Sequence, residues 1–315
     1  MAVDAATLYF RAFYSVPGTV RSPDGRGVNA VKGYLDMTAH LLRRLRPGAY
    51  AACWDDDWRP AFRTDLIPSY KAHRVAPDAP AGAEEVPDEL SPQVPVLRRT
   101  LDLLGLTVVG APGHEADDVC ATLAEGWHAA DASGGDGVDV VSGDRDLLQL
   151  VDDDAGTRVL YIGAGLADAP SYDQAGLLER YGVPDGPGYL DMSVMRGDPS
   201  DGLPGVPGIG DKTAVLLLRA HGDLDGVLAA AVSGGEGLTP ARRLKLLQAR
   251  EYVALARQVV RCVRDAPVQP ADPAALVLGP EPDPAETDVH AAAHGVEASV
   301  ARVREALVEI GARGA

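Results

Sequence analysis

Val138-Asp139-Val140-Val141-Ser142-Gly143-Asp144-Arg145-Asp146-Leu147-Leu148-Gln149-Leu150 joins a short β-branched run to a leucine-rich stretch through a turn that carries two carboxylates. By length and β-branched content the first part reads as a buried strand over 138–142, and a helix is expected over 146–151. The strand pattern recurs at residues 49–54, 106–110 and 158–162, with helical patterns at 30–46, 92–104 and 116–130 between them. Strands alternating with helices predict an α/β class, with a mostly parallel sheet covered by helices on both faces. Ligands bind such sheets at the carboxyl ends of the strands. Asp4, Asp55 and Asp144 each fall where a strand should end, so the topology would bring distant carboxylates into one crevice.

Further acids cluster outward from that stretch, at 55–57, at Glu115, Asp117 and Asp118, and at Asp198 and Asp201. Helix capping accounts for one or two acids at a helix start, but not for three ahead of a strongly apolar helix. Glu115 and Asp118, three residues apart, share a helix face. Crowded carboxylates raise one another's pKa unless a cation relieves them. Asp144 and Asp146 can aim at a common ion, although Asp146 would also serve as the N-cap of the leucine helix. Oxygen ligands suit hard divalent cations such as Mg²⁺ and Mn²⁺.

From about residue 172 the pattern turns helical, at 173–181, 188–196, 211–221 and a long amphipathic stretch 239–264. Asp198 and Asp201 run directly into Gly205-Val206-Pro207-Gly208-Ile209-Gly210-Asp211-Lys212-Thr213-Ala214. That composite reads as a helix-hairpin-helix. Its glycines let the backbone approach a phosphate, and amides at the helix start face the anion. Lys212 adds a point charge, and hairpin carbonyls can hold a monovalent cation such as K⁺. Arg59, Phe62, Arg63, Tyr70, Lys71 and Arg74 form a basic, aromatic strip near the 55–57 acids. Here Lys71 and Arg74 are expected over a scissile phosphate, and Tyr70 is expected to stack on an unpaired base.

The chain of 315 residues carries a formal charge of −17, which argues against a generic polyanion binder unless cations and a local basic strip intervene. No apolar run of membrane-spanning length and no signal peptide are expected, and Cys53, Cys120 and Cys262 show no metal or disulfide spacing. These features predict a cytoplasmic protein. No Walker motif is present, so no nucleotide cofactor is expected. The expected division is 1–171 for the sheet domain, 172–265 for the helical DNA-binding domain, and 266–315 for a linker and tail with one helix over 289–310. Residues 76–91, rich in Pro, Ala and acids, read as a mobile excursion over the strand ends.

Five ordered motifs carry a resemblance. They are Asp4 with Phe10-Arg11-Ala12-Phe13; Phe62-Arg63 with Tyr70-Lys71 and Arg74; Gly113-His114-Glu115-Ala116-Asp117-Asp118; Gly143 to Leu150; and Gly197 to Ala214. Over roughly residues 1–265 the sequence resembles the bacterial 5′→3′ exonucleases, which include the 5′-nuclease domain of DNA polymerase I, and more broadly the flap endonucleases. The resemblance implies a PIN-like sheet domain followed by a helix-three-turn-helix domain, and two or more Mg²⁺ or Mn²⁺ ions. It also implies a monomeric enzyme that hydrolyses DNA at a 5′ end, flap or nick to leave 5′-phosphates. Carried over by motif position, the ligands are Asp4, Glu115, Asp117, Asp118, Asp144, Asp146, Asp198 and Asp201. For the ligand after the second strand, strand-end logic picks Asp55, whereas family spacing to Phe62-Arg63 picks Asp56. Arg63, Tyr70, Gly208, Ile209, Gly210, Lys212 and Thr213 are the expected DNA contacts. Gly202 stands where relatives commonly carry asparagine, and His114 where they carry an aromatic. Two rival readings are a PIN-like ribonuclease and a non-catalytic binder of DNA structures; the hairpin argues against the first, the carboxylate set against the second.

Overall fold

The computed structural model describes residues 1–76, 84–130 and 137–312, so the expectation for the 76–91 excursion lies partly outside the described residues. Strand β1 (Ala2–Asp4) runs into helix α1 (Ala5–Ser15), followed by α2 (Asn29–Leu45), β2 (Ala51–Cys53) and the one-turn α3 (Ala61–Thr64). Then come α4 (Gln93–Leu103), β3 (Val108–Val109), α5 (Ala116–Ala130), β4 (Val138–Ser142), β5 (Thr157–Tyr161) and β6 (Ser171–Tyr172). The strands form one six-stranded sheet in the order β3-β2-β1-β4-β5-β6. All pairs are parallel except β5 with β6. Because β1 lies between β2 and β4, the winding reverses at β1, and a doubly wound sheet opens its ligand crevice beyond the strand ends at that point.

Successive strand residues point to opposite faces. On one face Val3, Ala52, Val141 and Leu160 pack with Leu8, Leu35, Leu97 and Val303. On the other, Ala51, Cys53, Val109 and Val140 pack with Val119 and Cys120 of α5. This second core continues without a break into the helical half through Leu190, Met192, Ala214 and Val253. That half contains α6 (Gln174–Tyr181), α7 (Gly186–Arg196), α8 (Asp211–His221), α9 (Leu224–Ser233), α10 (Pro240–Gln248) and α11 (Arg250–Val260). Much of the acidity is spent at helix starts: Asp173, Asp185 and Asp223 each accept a backbone N–H at 2.7 Å as N-caps.

Several element expectations are corrected. The stretch 239–264 is not one helix, because the chain breaks at Ala249 between α10 and α11. The helix expected over 289–310 is two, α12 (Pro284–His294) and α13 (Glu297–Glu309), with Gly295 between them. Residues 266–288, read as linker or coil, are held to the sheet by bridges Gly110↔Gln269 and Ala49↔Val277. Helix α13 packs on α2, so the segment closes one face of the sheet. Helices α1 and α9 and the antiparallel β6 have no counterpart in the sequence reading. Among the described residues no helix is long and apolar enough to cross a membrane.

Candidate metal centre and nucleic-acid interface

Asp4 ends β1 and N-caps α1, accepting the Thr7 N–H at 3.0 Å and the Thr7 hydroxyl. The same carboxylate accepts from Ser142 Oγ at 2.6 Å. Ser142 Oγ in turn accepts the Asp144 N–H at 2.9 Å, so one buried hydroxyl joins the ends of β1 and β4. Asp55, two residues past β2, accepts the Ala116 N–H at 2.8 Å and so caps the start of α5. Burial, with the charges of Asp4 and Glu115, pushes the Asp55 carboxyl up to about 7. Asp56 is exposed and lies against Gly110, so the structure brings Asp55 into the crevice and leaves Asp56 out.

Asp117 is held well above the usual carboxylate range by burial and by the charges of Asp144, Asp4 and Glu115. Burial raises Asp144 to about 6, with Asp201 and Asp4 adding to the shift. Asp146 is raised by burial and then by Asp144, Asp201 and Asp198. Carboxylates from β1, β2, α5, β4 and the 198–201 turn therefore feel one another's charge across a single crevice. Crowding of this kind is unfavourable without a cation. Asp146 Oδ1 is buried with no hydrogen-bond partner, as a side chain awaiting an external ligand would be. Among the described residues no three acidic, histidine or cysteine side chains close on one point.

Lys71 and Arg74 border the crevice. Lys71 pairs with Glu115, and Arg74 donates to Asp201 Oδ1 at 2.6 Å. The strip is pinned to the turn of the helical half: Lys71 N–H donates to Asp201 O at 2.9 Å and Ser69 Oγ to Gly202 O at 2.9 Å. Gly202 has φ +72°, and a Cβ there would lie 2.1 Å from Ser69 O, so the close approach requires glycine. Two expected DNA contacts are corrected. Arg63 is 2% exposed and Tyr70 5%, because their polar groups are spent on buried acids. Tyr70 donates to Glu115, and Arg63 forks onto Asp118. Asp118 itself is taken up by Arg63 and by the Glu115 and Val263 N–H groups.

In the hairpin, Gly208, Gly210 and Lys212 are exposed, whereas Ile209 is 4% exposed and anchors the loop in the core. Its side chain, expected at DNA, faces inward; backbone groups are what it can offer. Gly210 caps α8 without a side-chain bond, and Thr213 and Ala214 N–H return to Gly210 O. The first amides of α8 thus face outward beside Lys212, a ready anion seat. Lys245 of α10 reaches over Gly208, where a Cβ would come within 2.7 Å of its Nζ. The sequence reading missed Lys245 and Ser142; only the fold brings them to these places.

A crevice lined by acids at the reversal point of a parallel sheet, joined through one core to a hairpin-bearing helical half, defines the class: a carboxylate-based α/β nuclease. Two family models agree. The 5′-3′ exonuclease N-terminal resolvase-like domain matches residues 1–182, and the 5′-3′ exonuclease C-terminal SAM fold matches 186–281. The chain belongs to the 5′-3′ exonuclease family. A 5′-3′ exonuclease of Streptomyces coelicolor is 52% identical over 309 residues, covering 98% of this chain and 99% of that one. Another, of Mycobacterium tuberculosis, is 50% identical over 315 residues, covering 97% and 96%. In fold, the chain is similar to a T5 5′-exonuclease solved with bound zinc, at TM-score 0.65 and 17% identity over 98% of this chain and 97% of that one.

Proposed function

We propose that this enzyme hydrolyses DNA phosphodiester bonds from a 5′ end, as exonuclease and as structure-selective flap endonuclease, leaving 5′-phosphates. The observation that carries the reading is the mutual charge of Asp55, Asp117, Asp144 and Asp146 in one crevice bordered by Lys71 and Arg74. Asp4, Asp55, Glu115, Asp117, Asp144, Asp146, Asp198 and Asp201 are the residues to hold the cations, directly or through water. Two or more Mg²⁺ or Mn²⁺ ions bound there would supply an activated water and charge stabilisation at the leaving 3′ oxygen. Lys71 and Arg74 exchange their carboxylate partners for the phosphate of the substrate. The exposed α8 start, with Lys212, Thr213 and Lys245, grips duplex phosphate, and K⁺ at the hairpin carbonyls is part of this reading. The working unit is a cytoplasmic monomer divided as 1–171, 172–265 and 266–315, the last segment bracing the sheet.

The test is product analysis on a 5′-flap, a nicked duplex and an RNA-primed duplex. Asp144→Ala is expected to lose turnover while keeping DNA affinity. Full cleavage by that variant in Mg²⁺, or cleavage confined to RNA, ends the reading.

A further inference from the structure

We propose that Asp118 is not a metal ligand but, with Arg63, a buried positioning pair that aims Glu115 and ties the exit of the helical half to α5. The proposal rests on reading the crevice as a cation seat.

Asp118 sits among acids, yet its oxygens are spent. Oδ1 accepts from Arg63 Nη2 at 2.6 Å and from the Val263 N–H at 2.8 Å. Oδ2 accepts from Arg63 Nη1 at 2.9 Å and from the Glu115 N–H at 3.3 Å. A carboxylate offers about four lone-pair sites, so no acceptor remains for a cation. The side chains of Arg63 and Asp118 are 3% and 0% exposed, and removing either would leave the other as an unpaired buried charge. Asp146, with a free Oδ1, is the contrasting case.

Helical geometry separates neighbours on α5: Asp117 feels the charges of Asp144 and Asp4, while Asp118 reaches back to the Glu115 N–H. Arg63 spans both. Its Nη1 lies 3.1 Å from Glu115 Oε1, and its Nε donates to Val259 O at 2.9 Å. Tyr70 and Lys71 hold Glu115 from the other side. Once Lys71 turns to substrate, Glu115 is oriented by Arg63 and Tyr70, the first of which is itself fixed by Asp118. Val259 lies in the last turn of α11 and Val263 just beyond it, so the pair also fixes the end of the helical half against α5.

The test uses the full chain and Mn²⁺ as probe, with bound ions counted by electron paramagnetic resonance and melting followed in EDTA. Asp118→Asn is expected to keep the wild-type ion count, while melting lower in EDTA. Assayed well below its melting point, it loses about 10- to 100-fold in kcat through misplacement of Glu115, with KM for flap DNA unchanged. Asp117→Asn should do the reverse with metal, weakening Mn²⁺ binding without lowering the EDTA melting point. Should Asp118→Asn fail to fold, the double variant Arg63→Met/Asp118→Leu removes both charges and is expected to fold with the wild-type ion count. Loss of an ion in Asp118→Asn or in the double variant overturns the proposal, and so does an unchanged EDTA melting point or an unchanged kcat. If wild type itself bound no Mn²⁺, the cation reading would fall, while EDTA melting would still judge the pair.

Discussion

Ser142 shows how much of the crevice depends on one uncharged atom. Its hydroxyl donates to Asp4 and accepts from the Asp144 N–H, across the point where the sheet reverses. Ser142→Ala should cost about 1–3 kcal/mol, the penalty of leaving a buried polar group unpaired. It should also lower kcat, since both carboxylates lose their mutual reference. Ser142→Thr, which keeps the hydroxyl, should recover most of both. Urea unfolding and steady-state cleavage check this, and wild-type values for the alanine variant would refute it. The sequence made the acids legible because parallel strands deliver their ends to one place. It did not make burial legible: Arg63, Tyr70 and Lys71 have the composition of a DNA-facing strip, yet the first two are inside. Arg63 is drawn in by Asp118 and the end of α11, and Tyr70 by Glu115. Asp55 against Asp56 was open in sequence because turn length, not residue type, selects between them.

At the scale of elements, the junction between the 69–74 strip and the 198–202 turn is set by the missing side chain of Gly202. Gly202→Ala should push the strip away, weakening the Lys71–Asp201 backbone bond and the Arg74–Asp201 pair. We expect a loss of about 1–3 kcal/mol and faster tryptic cutting at Lys71 and Arg74. A proteolysis time course identical to wild type would contradict it. Regular elements were read well where pattern and length agree; the expected bounds of α5 and β4 coincide with the observed ones. The sequence reading failed where composition masks packing. Residues 266–288 are rich in Pro and Asp, which looks like linker, but their order comes from bridges to residues far away in the chain. Helix α9, Leu-Asp-Gly-Val-Leu-Ala-Ala-Ala-Val-Ser, has too little polar contrast to show a period.

For the whole molecule, the raised carboxyls set how stability follows pH. Asp55 and Asp144, pushed up to about 7 and about 6, keep protons in the folded state that an unfolded chain releases near pH 4. Between those limits the folded state binds more protons, so without divalent cation these groups make stability fall as pH rises. Mg²⁺ prefers the deprotonated acids and should reverse the trend, adding about 2.7 kcal/mol at a hundredfold excess over Kd. Melting curves from about pH 4.5 to 7.5 in EDTA and in Mg²⁺ check this; a melting point in EDTA that climbs toward neutrality would contradict the assignment. One apolar core spans the sheet and the helical half, from Val140 to Val253, and Ile209 plugs the hairpin into it. Jaw and anvil are thus cast in one piece. On the proposed reading, that continuity would fix the span between the hairpin and the acidic crevice, a built-in ruler between grip and cut.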